Sequence, residues 1–402
     1  MSKPLPITLS QRVNELPPYV FGRVNALKKA RRQAGEDVID LGMGNPNDPT
    51  PEPIIEKLCE AVRDPKNHRY SVRAEGIFNL KREVAAFYQS EWAVELDAEK
   101  EVVCTIGSKE GLSHLFLALM NPGEVAVVPT PAFPVHIHGV RLAGGCVFSP
   151  PLSTGPEFFD NLQGMFTTLR PTPKVLVVSF PHNPTTMTVE LDFFERLVDL
   201  CRRHGVFIVH DFAYSHITFD GYRAPSLLQV QGAKNLAVEF TTMSKSFNMA
   251  GWRVGFCVGH AGVVEGLARV KAYYDYGLFM PVQIASIVAL RHCKKEVARQ
   301  AAVYQARRDV LCDGLTRVGW PVARPRGSMF VWAPIPEPYA HMGSLDFSLL
   351  LLEKANVAVA PGESFGPGGE KFVRMALVEN ELRLKQAVRQ IGRGLELKPP
   401  LP

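Results

Sequence analysis

Lys245 lies in Met243-Ser244-Lys245-Ser246, directly after the apolar run 236–243 and eight residues before Arg253. Taken alone, a lysine after a strand is a solvated surface residue. Its neighbours argue for another use. Ser244 and Arg253 are donors suited to a phosphate, and an arginine can bind one in a bidentate manner. An amine held beside such a site is placed to condense with a carbonyl. A second candidate, Asp211, closes the run Val206-Phe207-Ile208-Val209-His210-Asp211. A carboxylate there is costly to bury without a partner. A helix cap or an ion pair would satisfy it, and so would the protonated ring nitrogen of a cofactor. Third, Gly107-Ser108-Lys109 opens a helical pattern whose free N–H groups and positive dipole end suit an anion. Many helices begin with Gly-Ser, so this signal is weak by itself.

These residues need a frame that brings them together. Apolar, β-rich runs at 101–106, 125–129, 174–180, 206–212 and 236–243 read as strands. Helical patterns lie between them. One presents Leu112, Leu115, Phe116 and Leu119; another, over about 190–204, presents Phe194, Leu197, Val198 and Cys201 and stops at Gly205. The alternation predicts an α/β fold with a mostly parallel sheet, right-handed crossovers and cover on both faces. Ligands bind beyond the carboxyl ends of such strands. Four strand ends carry Gly107-Ser108-Lys109, Asn183-Pro184-Thr185, Asp211 with Tyr214, and Ser244-Lys245 to one rim.

The last third reads differently. Apolar residues at 297, 301, 304, 311, 315 and 318 predict one long helix over about 295–319, with Arg308 in a slot the pattern leaves for an apolar side chain. The runs 329–335 and 372–378 read as strands of a smaller α+β region. The Pro-rich segment to about residue 45 is expected to pack on that region or on a partner chain.

Composition narrows the classes. With 402 residues, 46% hydrophobic and 21% charged, the chain is an ordinary globular protein of two or more domains. The net charge of +5, from 45 basic and 40 acidic residues, is well mixed, unlike the concentrated basic face of a nucleic-acid binder. It suits small anionic substrates or a phosphate-bearing cofactor. Seven scattered cysteines without a C-x-x-C pair fit reduced, buried thiols of a cytosolic protein. No apolar run reaches about 18 residues and no signal-peptide core stands at the start, so a cytoplasmic location is expected. His136 and His138 lack an evident third ligand, and no metal is expected. His114 reads as a packing histidine, and Tyr273, Tyr274 and Tyr276 as core and subunit interface.

A lysine amine beside a phosphate site and opposite a buried carboxylate matches the needs of pyridoxal 5′-phosphate. The motif S-K-x-x-x-x-x-G-W-R at 244–253, with N-P-T at 183–185, D-x-x-Y at 211–214 and Phe372-Val373-Arg374 downstream, resembles the class I/II pyridoxal-phosphate aminotransferases of fold type I. The resemblance runs from about Asn14 to Arg393. It implies a large domain on a mostly parallel seven-stranded sheet and a smaller α+β domain. The divisions are 1–45 as an arm and part of the small domain, 46–290 as the large cofactor-binding domain, and 291–402 as the small C-terminal domain.

Within that family the motifs look closest to bacterial glutamate–pyruvate (alanine) aminotransferases, whose neighbours include aspartate and LL-diaminopimelate aminotransferases. The resemblance implies that Lys245 holds the cofactor as a Schiff base and later moves the substrate proton. Asp211 would pair with the ring nitrogen, Asn183 and Tyr214 with the phenolic oxygen, and Phe133 with the ring face. Ser108, Lys109, Ser244 and Arg253 would cup the phosphate, joined by Tyr70 from the neighbouring subunit of a homodimer. Arg374 would clamp the substrate carboxylate, helped by the backbone at Gly44 and by Asn183. Two departures stand out: Thr186 replaces the glycine of the usual N-P-T-G, and Phe247 stands where close relatives carry tyrosine. A β-lyase or decarboxylase would share Lys245, Asp211 and Arg374. A DNA-binding regulator on this fold would need a preceding domain.

Overall fold

The structure is a computed structural model and describes residues 5, 7–17, 22–71 and 73–398. In chain order its strands are β1 (Ile39–Asp40), β2 (Val102–Thr105), β3 (Val125–Val127), β4 (Cys146–Phe148), β5 (Val175–Ser179) and β6 (Phe207–Asp211). There follow β7 (Ala237–Thr242), β8 (Gly255–Gly259), β9 (Phe330–Pro334), β10 (Val357–Ala358), β11 (Ala360–Pro361) and β12 (Phe372–Ala376).

Seven strands form one sheet in the order β2-β8-β7-β6-β5-β3-β4. All neighbours are parallel except β8, which is antiparallel to both β7 and β2. The sheet is covered on both faces, and the strands show why their sequences are continuously apolar. Leu176, Val178 and Ile208 enter one buried cluster with Phe194 and Leu197 of the helix Leu191–His204. Val175, Val177 and Val209 enter another with Leu112, Leu115 and Phe116 of the helix Gly107–Leu119. Each such side chain, fully buried, contributes roughly 1.5–3 kcal/mol. The helix Leu191–His204 ends on Gly205 at φ +68°, a left-handed turn that glycine adopts without strain.

A second, three-stranded sheet has the order β11-β12-β9, antiparallel throughout, with Arg374 of β12 opposite Trp332 of β9 and Ala360 of β11. β1 pairs in parallel with β10, so the N-terminal segment packs on the C-terminal region. The long helix spans Lys294–Arg317. Arg308 sits in its buried stripe because its guanidinium is matched there: it bonds Asp220, Asp309 and the Pro325 carbonyl.

Two expectations are corrected. Tyr273, Tyr274 and Tyr276 are not core: they are 89%, 69% and 45% exposed on this chain. Cys59 and Cys146 are exposed, while the other five cysteines are buried and all seven are free. Among the described residues no helix is long and apolar enough to cross a membrane.

Candidate active site

The parallel order places the carboxyl ends of β2, β5, β6 and β7 on one rim, where Ser179 stands beside Asp211 in register. β8 runs the other way, so Arg253, two residues ahead of its first residue, reaches the same rim. After β7 the chain makes a single turn, Met243–Ser246, capped by the Thr242 hydroxyl, which accepts from the Ser244 N–H at 3.2 Å. Lys245 projects from that turn, and its Nζ donates to the Gly44 carbonyl at 2.7 Å. Burial of the amine, then the cations Arg374 and Arg253, pull its pKa down to about 8 against the opposing pull of Asp211.

Asp211 is the last residue of β6 and is buried. Its Oδ2 accepts from His136 Nε2 at 2.9 Å and its Oδ1 from the Ala213 N–H at 3.3 Å. An ionised carboxylate only accepts, so His136 carries its proton on Nε2. Phe133 packs edge-on to His136 with ring centroids 5.8 Å apart. His182, next to Asn183, accepts at Nδ1 from the Thr185 hydroxyl and N–H. Burial, reinforced by His136, pushes it down to about 3, so it is neutral.

Arg374 joins three segments. Its Nη1 donates to Asn183 Oδ1 at 2.7 Å and its Nη2 to the Gly42 carbonyl at 3.2 Å. Its guanidinium lies 3.9 Å from the Phe330 ring centroid and 4.6 Å from that of Phe365. Tyr214 packs edge-on to Phe330, and burial raises its phenol, which stays a donor at neutral pH.

On the other side, the helix Gly107–Leu119 starts under Arg253. Gly107 has φ +72°, and a Cβ there would lie 2.4 Å from Arg253 Nη2; one on Gly255 would lie 2.7 Å from the Ser108 nitrogen. Glycine therefore keeps a cradle open between the helix start and the guanidinium. Ser244 Oγ accepts from Thr242 Oγ1 nearby. Lys109 and Arg253 are exposed. Glu110, His114 and Asp275 bring ligand-type atoms within 4.8 Å of one another. The ammonium of the fully buried Lys271, 3.2 Å from Glu110 and 3.0 Å from Asp275, already supplies their cation.

The structure thus brings Lys245, Gly44, Asp211, Asn183, Tyr214 and Arg374 to one place, with Ser108, Ser244 and Arg253 around the cradle beside it. Tyr70 is not among them. It is 86% exposed and packs edge-on to Tyr276. Sequence reasoning missed His136 as the partner of Asp211. The available signal was its position three residues after Phe133, one helical turn on the same face. It also missed Phe330 and Phe365, which no local pattern distinguishes from core.

A mostly parallel sheet with a half-buried lysine, a buried carboxylate and an anion cradle at its carboxyl rim defines a class of cofactor-dependent enzymes. Residues 36–391 match aminotransferase class I and II, and the chain belongs to that family, whose enzymes are pyridoxal-phosphate-dependent. It is 50% identical to the glutamate-pyruvate aminotransferase AlaC of Escherichia coli, over 94% of this chain and 92% of that one. It is 40% identical to the LL-diaminopimelate aminotransferase of Moorella thermoacetica, over 96% and 98%. Its fold is similar to the substrate-bound structure of BacF from Bacillus subtilis, with TM-score 0.89, 32% identity, and 98% and 99% of the chains covered.

The residues present fit pyridoxal 5′-phosphate. The glycine-kept cradle under Arg253 has the donors for a phosphate, and the amine with lowered pKa lies beside it. Buried Asp211, whose partners among the described residues are His136 and the Ala213 N–H, suits a cationic ring nitrogen.

Proposed function

We propose that the protein transfers an amino group between L-alanine and 2-oxoglutarate, in either direction, by a ping-pong mechanism in which one site takes the amino acid and the 2-oxo acid in turn. The alanine assignment rests on the 50% identity to a glutamate-pyruvate aminotransferase. The chemistry rests on one observation above all, the Lys245 amine that donates to the Gly44 carbonyl at 2.7 Å at the rim where Asp211 and Arg374 meet, its pKa pulled down by burial and by the nearby arginines.

When bound, the cofactor supplies an aldehyde for amine exchange and an electron-withdrawing ring for the electron pair left at Cα. The remaining work belongs to the chain. Arg374, flattened between Phe330 and Phe365, takes the α-carboxylate common to every amino acid, with Asn183 and the backbone at Gly44 beside it. Lys245 takes and returns the proton at the substrate Cα, for which a pKa near the working pH is suited. Asp211, oriented by His136, would hold a proton on the ring nitrogen. Asn183 and Tyr214 would donate to the ring oxygen and Phe133 would lie against the ring. Ser108, Lys109, Ser244 and Arg253 would hold the phosphate.

A homodimer completes this reading. Arg253 and Lys109 are exposed on this chain, and Tyr70 stands out from a groove of about 670 Å³ shared with Tyr276 and Phe279. Tyr70 of one chain would then close the phosphate cup of the other. The division into a large domain over 46–290 and a small one over 291–402 is likewise our proposal; β2–β8 fall inside the first and β9–β12 inside the second. Scattered free thiols support a cytoplasmic setting.

LL-diaminopimelate is the second reading, favoured by relatives of that name at about 40% identity. Steady-state kinetics with alanine, aspartate and LL-diaminopimelate as donors decides. Alanine is expected to lead. A hundredfold advantage of either rival in kcat/KM, about 2.7 kcal/mol of transition-state preference, would overturn the assignment.

A further inference from the structure

Among the described residues the Lys245 amine has one hydrogen-bond acceptor, the Gly44 carbonyl at 2.7 Å. Gly44 lies in the irregular segment 42–50, which has no strand or helix to hold it. Its anchor is Asp48. The Asp48 carboxylate takes both arms of Arg307, each at 2.7 Å, and Gln300 Nε2 at 2.9 Å. Gln300 and Arg307 stand seven residues apart, two turns along one face of the helix Lys294–Arg317. Arg307 also donates to the carbonyl of Leu377, just beyond β12, the strand that carries Arg374.

The same cluster grips the lysine segment. Asn248, three residues after Lys245 and at φ +52°, donates to Gln300 Oε1 at 2.9 Å and to the Pro49 carbonyl at 3.3 Å. Its own carbonyl accepts from the Thr50 hydroxyl at 2.8 Å. Both ends of the Lys245–Gly44 bond are therefore fastened to one helix, the Gly44 segment through Asp48 and the Lys245 segment through Asn248, and Gln300 bonds both.

We infer that Asp48, clamped by Arg307 and Gln300, is a positioning residue for Lys245, holding the Gly44 carbonyl where it accepts from the amine and thereby setting the amine's proton affinity. The inference rests on the reading of Lys245 as the catalytic lysine. The other charged or titratable groups facing that amine are Arg374, Arg253 and Asp211, with Tyr214 close to the last. The Asp48–Arg307 pair is not among them.

The full chain, stripped of cofactor, is pulse-labelled with an acylating reagent between pH 6 and 10, and the Lys245 peptide is followed by mass spectrometry. The wild-type midpoint is expected near 8. A carbonyl acceptor favours the charged amine, so loosening it lowers the midpoint, by about one unit for a hydrogen bond to a charged group. Asp48→Asn and Arg307→Gln are both expected to lower it. Charge acting through space would instead move them oppositely, since removing a cation raises a lysine pKa. Opposite shifts, or midpoints within about 0.3 units of wild type, would overturn the inference.

Lys81 and Lys271, both buried, report folding by staying protected. If either variant exposes them, uncharged Gln300→Ala, which cuts Asp48 and Asn248 apart, carries the same expectation and the same refutation. A cofactor found on a lysine other than Lys245 would fail the reading of the site, while the titration of Lys245 would still be measured.

Discussion

Replacing His136 by leucine tests how Asp211 is held. Asp211 is buried and has two donors among the described residues, His136 Nε2 at 2.9 Å and the Ala213 N–H at 3.3 Å. Leucine has a similar volume and removes the shorter bond without opening a large cavity. A hydrogen bond to a charged group is worth about 1.5–3 kcal/mol, so kcat/KM should fall roughly ten- to 150-fold. The loss works through Asp211: with one donor gone its charged form is less favoured, and it holds a ring proton less firmly. His136→Gln, whose amide can donate, should recover part of the loss. In the Asp211→Asn background the same leucine substitution should change the rate by about twofold or less, because interacting groups are not additive. Stopped-flow measurement of the alanine half-reaction in all four combinations is the assay. A full loss from His136→Leu on top of Asp211→Asn, or a loss under about threefold in the wild-type background, would show that His136 does not act through Asp211.

Two further substitutions probe the cradle and the clamp. Gly107→Ala puts a Cβ 2.4 Å from Arg253 Nη2 at φ +72°; cofactor affinity should drop on the order of tenfold or more, read as lost visible absorbance on dialysis. Unchanged retention would refute the phosphate cup. Arg374→Lys keeps the charge but loses the fork that bonds Asn183 and Gly42. It should lower kcat/KM about a hundredfold for every amino donor alike, since the α-carboxylate is common to all. A loss confined to one donor would mean that Arg374 reads a side chain.

The central strands were legible because β5, β6 and β7 are buried on both faces and so read as unbroken apolar runs. β4 was not: it is a three-residue edge strand with two of its residues exposed. β8 was obscured by its terminal glycines, which have little β propensity. At the site, Lys245, Asp211, Asn183 and Arg253 could be found because each lies at or close to a strand end. The His136–Asp211 bond joins residues 75 apart, and the local hint, His136 one helical turn after Phe133, does not name its partner. The exposed Tyr273, Tyr274 and Tyr276 were misread as core for a related reason. Aromatic character signals burial against something, without saying whether that partner is the chain itself.

The central claim is that Lys245 carries the chemistry, and covalent trapping tests it most directly. The purified protein should be yellow with bound pyridoxal phosphate; borohydride should bleach it and leave the cofactor fixed to the chain. Peptide mapping should then find the label on Lys245, and Lys245→Ala should bind cofactor that borohydride cannot fix. Label on any other lysine, or none on a yellow and active protein, would contradict the assignment of the site.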